Sequence, residues 1–137
     1  MKLEEVIAFI LTQSEQIEEK ARLQSELRDV TNHQIHCLKS INNLKNPTPT
    51  ILSKELAITK PSTTAMIEKL VKKDLIKKVP SKKDGRVFHL QITAKGKKII
   101  QWHHSIHTKI ADRISKNLNE SEKDILVYLL TKAVAEE

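Results

Sequence analysis

A mostly helical fold with one small β-hairpin is what this sequence predicts, on three observations. Only two glycines occur in 137 residues and aromatic residues make up 3%, too few turn-formers and β-formers for a sandwich or barrel. Apolar residues recur at helical spacing toward both chain ends. Between them, two short helix-like segments precede two β-like runs that flank an Asp-Gly pair.

The totals bound the rest. A chain of 137 residues fits a single domain, 1–137, and 39% hydrophobic with 30% charged residues is a globular composition. The formal charge of +7 points to a polyanionic partner: nucleic acid, a membrane surface or an acidic protein. The longest apolar run, "ILVYLL" at 125–130, is far too short to span a bilayer. Residues 1–20 carry five glutamates and no apolar signal segment, so a cytoplasmic protein with no membrane partner is expected. Cys37, without a second cysteine to pair with, reads as a small buried apolar side chain.

Element by element, residues 2–27 lack Pro and Gly and place Leu3, Val6, Ile7, Ile10, Ile17 and Ala21 along one long amphipathic helix. Thr31 with Gln34 is a capping-box pattern opening a second helix near 32, with Ile35, Leu38 and Ile41 inward. "NPTPT" breaks the pattern, and Thr48-Pro49 starts a third helix, "PTILSKELAI". Thr59 caps a fourth, "KPSTTAMIEKLVKKD", after a tight turn at 57–60; that layout is a helix-turn-helix. "LIKKVP" and "RVFHLQIT" then make a β-wing around "SKKDG". The helical pattern returns from Thr93 to about 117, and "NESE" at 119–122 caps a last helix carrying Ile125, Leu126, Leu129, Leu130 and Val134. The expected architecture is therefore mostly α with a small β-wing. A winged helix-turn-helix lobe at 31–93 is flanked by 1–30 and 94–137. Those flanks bear wider apolar faces than one chain of this size buries, which points to a helical homodimerisation region.

Charge is concentrated where this layout would meet nucleic acid. Lys69 to Arg86 holds seven lysines, one arginine and two aspartates, a net +6. A solvated face is the plain alternative, but the cluster coincides with the fourth helix and the wing. Residues at the start of a recognition helix read base edges in the major groove. This singles out Lys60, Ser62, Thr64 and Lys69, while Thr63, Met66, Ile67 and Leu70 should pack inward. At the wing tip Lys82, Lys83 and Arg86 protrude, the arginine suited to a narrow minor groove. Asp84 either holds the Arg86 guanidinium or serves only as a turn residue.

The stretch "LSKELAITKPSTTAMIEKLVKKDLIKKVPSKKDGRVFHLQITAKGK" resembles the winged helix-turn-helix core of the MarR family of bacterial transcription regulators. The Asp-x-Arg wing, Asp84 and Arg86, followed by "LQITAKG", carries most of the likeness, which covers 31–118. The resemblance implies a homodimer built on the first and last two helices, binding palindromic double-stranded DNA. Two departures are visible. Asp74 stands where many members have Gly, which predicts a left-handed C-cap made by Asp. Ala65 stands where a larger polar residue is usual.

Three histidines crowd "QWHHSIHTKI", and His103 and His107 share a helix face at i, i+4. Zinc-responsive repressors of zinc uptake within the family are similar here. That likeness implies one zinc site from His36, in "TNHQIH", with His103 and His107, plus Glu18 or Glu19 from the first helix. The second site of those relatives is not expected, because Ile35 replaces its Glu. Regulators of fatty-acid synthesis genes show the same histidine pattern, which implies acylated acyl carrier protein or a small apolar molecule instead. Histidines that bind nothing are the third reading. An enzyme is not expected: His104 occupies the place of the Glu in an HExxH motif, and no P-loop, nucleophile elbow or dinucleotide fingerprint appears. A basic helical adaptor for acidic proteins is the remaining alternative, and it would have no use for a basic β-wing.

Overall fold

The structure, a computed structural model, describes residues 1–23 and 28–135. Among these the chain forms α1 (Leu3–Leu23), α2 (Asn32–Leu44), α3 (Pro49–Leu56), α4 (Lys60–Lys72), β1 (Ile76–Pro80), β2 (Phe88–Ile92), α5 (Ala94–Ser115) and α6 (Glu120–Val134). The expected end of the first helix near 27 lies outside the described residues. Two compact units result: Arg22–Ser105, and Met1–Ala21 together with Ile106–Glu137. Among the described residues, no helix is long and apolar enough to cross a membrane.

In the Arg22–Ser105 lobe, side-chain caps set the helix starts. Thr31 accepts from the Gln34 backbone N–H at 3.2 Å, and the Gln34 side chain accepts from the Thr31 backbone N–H at 3.2 Å, a complete capping box. Thr48 and Thr59 cap α3 and α4, each with a proline in the first turn. Helix α3 stops at Leu56, two residues before the expected Ile58, because Ala57 turns left-handed at φ 51°. There the Ser53 hydroxyl donates to the Ile58 carbonyl at 2.8 Å, which closes the turn of the helix-turn-helix. Helix α4 ends at Lys72, and Asp74 adopts φ 58°. The Leu75 N–H reaches back to the Leu70 carbonyl at 3.0 Å, so the left-handed cap that Asp was expected to make is formed.

The sheet is a single antiparallel pair with Ile76 opposite Ile92 and Pro80 opposite Phe88. Its connection is the long loop 81–87 rather than a two-residue Asp-Gly turn, and Gly85 has no positive φ. The Leu90 N–H also donates to the Pro47 carbonyl at 2.8 Å, which ties the wing to the α2–α3 loop. Leu38, Leu52, Leu70, Leu75, Leu90 and Ile99 are fully buried in one core. Each such side chain contributes about 2 kcal/mol. Ile99 brings the first half of α5 into this lobe.

The second unit holds α1, the rest of α5 and α6. Asn119 and Glu122 form the capping box read from "NESE", with both hydrogen bonds at 2.9 Å. Neither α1 nor α6 has a buried residue. Leu3, Phe9, Leu11, Val127, Tyr128, Leu129 and Leu130 all stand more than half exposed. Within this unit, Ile110, Ile114, Leu126 and Leu130 line an apolar cavity of about 440 Å³ that His107 also touches.

Candidate nucleic-acid interface and the clustered histidines

Helix α4 is amphipathic in the sense a recognition helix requires. Thr63, Ile67 and Leu70 are buried and Met66 is half-buried, as their spacing predicted. Lys60, Ser62, Thr64 and Lys69 are all exposed. The hydroxyls are already oriented. Thr64 donates its proton to the Lys60 carbonyl at 3.0 Å, so its oxygen is left to accept. Ser62 accepts from the Thr59 hydroxyl at 2.9 Å, so its own proton is left to donate. The two residues thus offer opposite polarity to whatever faces them. At 100° per residue, Pro61, Ala65, Glu68 and Lys72 form the strip opposite the buried face. Glu68 and Lys72 were not singled out from the sequence; plotting the helix against its buried side would have found them.

At the wing, Lys82, Lys83, Asp84 and Arg86 are all exposed. Asp84 accepts from the Arg86 backbone N–H at 3.0 Å, an Asx turn. Of the two readings of Asp84, the turn is the one realised; among the described residues it makes no ion pair with the Arg86 guanidinium. The wing is braced from behind. The Lys78 ammonium lies 4.9 Å from the Phe88 ring centroid, and His89 Nδ1 is 3.0 Å from the Asn46 carbonyl oxygen. Because that oxygen only accepts, Nδ1 of His89 carries the proton.

Below the wing, Thr93 joins three elements. Its hydroxyl donates to the Asp74 carbonyl at 2.6 Å and accepts from the Gly96 N–H at 3.1 Å, while its own N–H donates to the Leu75 carbonyl at 3.1 Å. The C-cap of α4, the start of β1 and the start of α5 are thereby held at fixed spacing, which fixes the angle at which the wing leaves α4.

Of the α5 histidines, His103 belongs to the lobe and His107 to the helical unit. In the lobe, buried His103 and exposed His36 meet edge to face with ring centroids 6.4 Å apart. The Lys39 ammonium is 3.3 Å from His103 Nδ1. An ammonium only donates, so this contact leaves Nε2 of His103 as the protonated nitrogen of the neutral ring. In the helical unit, a Glu18 carboxylate oxygen lies within 4.8 Å of a His107 ring nitrogen. Imidazoles at i, i+4 with a carboxylate suit a borderline divalent ion such as zinc, and Lys39 opposes one by charge. Cys37, beside His36 in sequence, is buried, and burial pushes its thiol from 9.0 up to about 11. It is an apolar core residue rather than a thiolate ligand.

Comparison with known proteins agrees with this geometry. The sequence model of the MarR family matches residues 30–88. The multiple antibiotic resistance protein MarR of Escherichia coli (strain K12) is 31% identical over 107 residues, covering 77% of this chain and 74% of that protein. The crystal structure of apo wild-type MarR from E. coli aligns with TM-score 0.72 and 26% identity over 98% of both chains. That of Streptococcus pneumoniae FabT in complex with DNA aligns with TM-score 0.76 and 29% identity, over 96% of this chain and 92% of that one. The six-helix chain with its two-stranded wing therefore belongs to the MarR family, whose members are transcription regulators and not enzymes.

Proposed function

We propose that this regulator is a homodimeric repressor acting in the cytoplasm on a palindromic double-stranded operator. The observation that carries this reading is the coincidence of the net +6 segment with the exposed face of α4 and the wing tip. Lys60, Ser62, Thr64 and Lys69 enter the major groove. Lys82, Lys83 and Arg86 grip the flanking backbone and minor groove, with Asp84 shaping the tip. Dimerisation through 1–30 and 94–137 is supported by the absence of any buried residue from α1 and α6. The FabT structure with DNA supports duplex DNA as the partner.

Operator affinity is modulated by an effector, and zinc as corepressor is the leading candidate. His36, His103 and His107 are its ligands, and Glu18 supplies a carboxylate. Support comes from the His36–His103 contact in the lobe and the Glu18–His107 proximity in the helical unit. A coupling of about 5- to 150-fold in affinity is the usual range for such regulation. A second reading, an acyl chain on carrier protein or another small apolar effector, is favoured by the apolar cavity lined by Ile110, Ile114, Leu126 and Leu130.

Fluorescence anisotropy on DNA from the region upstream of the gene, with chelator and with added zinc, tests both parts. Arg86→Ala is expected to weaken binding and lower the log–log salt slope by about 1, with the dimer intact. Wild-type affinity in that variant removes the wing from the account. His103→Ala is expected to abolish a zinc-dependent gain and leave metal-free binding unchanged. Equal wild-type binding in the two buffers rules zinc out as corepressor and leaves the apolar effector or regulation without a ligand.

A further inference from the structure

We infer that Glu68 is a specificity-determining residue that selects cytosine at one position of each operator half-site; the inference rests on α4 being the recognition helix. Glu68 is exposed, and it lies opposite Thr63, Ile67 and Leu70, which are 1%, 2% and 0% exposed. Its strip of the helix is Pro61, Ala65, Glu68 and Lys72, the residues that point furthest from the core. Pro61 and Ala65 bring no polar side chain, and the short Ala65 leaves room one turn away for the longer carboxylate. Among the described residues Glu68 makes no hydrogen bond or ion pair, even with Lys72 at i+4. Its acceptor atoms are therefore uncommitted.

A carboxylate at the centre of a surface built for a polyanion costs affinity unless a base edge gives it a proton. Both of its oxygens only accept. In the major groove guanine offers N7 and O6, both acceptors, and thymine offers O4 and a methyl group. Only the amino groups of cytosine and adenine donate. Adenine sets its N7 acceptor beside that amino group, which repels the second carboxylate oxygen; the neighbour in cytosine is a neutral C5–H. Glu68 thus favours cytosine and disfavours guanine and thymine. Thr64, whose oxygen is left to accept, and Lys69, which donates, flank it with different preferences.

The test is selection from a pool of random duplexes at one fixed salt concentration, with the full-length wild type, Glu68→Gln and Glu68→Ala. The site is exposed, and matched thermal melts establish that the variants fold alike. Wild type is expected to enrich a motif with one invariant C·G pair per half-site, whose replacement costs on the order of 5- to 100-fold in affinity. Gln donates and accepts, matching the N6/N7 edge of adenine, so Glu68→Gln is expected to move that one position from C to A. Glu68→Ala should lose preference there and nowhere else. Identical motifs from all three proteins overturn the inference. So does a uniform rise in affinity across all sequences on losing the charge, because that makes Glu68 only an electrostatic brake. Failure of wild type to enrich any motif is a different result: it defeats the reading of α4 as recognition helix, and the inference with it.

Discussion

Gly96→Ala isolates the packing at the root of the wing. Gly96 is in the first turn of α5, and a Cβ placed there meets the Leu75 carbonyl oxygen at 2.3 Å and the Ile92 Cγ2 at 2.8 Å. The first distance is about 1 Å inside ordinary contact, and its partner is backbone that cannot rotate away. That same oxygen accepts the Thr93 N–H at 3.1 Å, so relief by moving β1 breaks a bond that orients the wing. Two effects oppose each other. Alanine gains up to ~1 kcal/mol of helix propensity over glycine, and less in a first turn. Overpacking costs about 1–3 kcal/mol, and a lost backbone hydrogen bond adds about 1 kcal/mol. The clash wins, with a net loss of about 2–3 kcal/mol. For a chain of this size that lowers Tm by roughly 6–15 °C. Urea unfolding followed by far-UV circular dichroism reads the loss directly as a lower midpoint at unchanged slope. A Gly96→Ala protein as stable as wild type, or more so, refutes the close approach of α5 to β1. Because Ile92 and Leu75 root the two wing strands, operator affinity should fall even at temperatures where the variant remains folded.

Other perturbations address the core and the proposed dimer interface. The Cys37 thiol is pushed up to about 11 by burial, so the neutral form is favoured in the folded state. Its contribution is fully present below the unfolded thiol value and is lost as pH rises through the folded one. Unfolding free energy should therefore drop by about 2–3 kcal/mol between pH ~9 and ~11. Cys37→Ala should flatten that slope, and a slope that survives the substitution assigns it to other groups. Native Cys37 should also resist alkylation at pH 8 until the protein unfolds. If the proposed dimer forms through α6, Leu129→Glu, on the exposed apolar side of that helix, should convert it to monomer in sedimentation while leaving the lobe folded. An unchanged sedimentation coefficient takes α6 out of the interface.

Much of the fold was legible because its signals are local. The capping boxes of Thr31 with Gln34 and of Asn119 with Glu122 act over three residues, as do the Thr48 and Thr59 caps. Spacing alone selected Thr63, Ile67 and Leu70 as the buried side of α4, while the Asp74 cap was expected from the resemblance, with Gly there in many members, and from the tolerance of Asp for positive φ. The exposed basic residues of α4 were readable from the same periodicity, and those of the wing from their place on a polar loop between two β-like runs.

What only the tertiary structure decided depends on residues brought together from far along the chain. Lys73 reaches the Asp29 carbonyl and, at 2.8 Å, the Gln34 side chain, 39 residues away. Lys39 meets His103 across 64 residues, which assigns the proton on that imidazole in a way that no i, i+4 pattern foretells. Gly96 appears in the sequence as one more glycine, yet its lack of a Cβ is required by a carbonyl 21 positions earlier. Ile99 draws the start of α5 into the lobe although α5 reads as one uninterrupted amphipathic helix. Caps and periodicity are short-range terms set within a turn or two of chain. Close approaches and hydrogen bonds between distant segments arise only after loop closure has packed those segments, and sequence spacing carries no record of that distance.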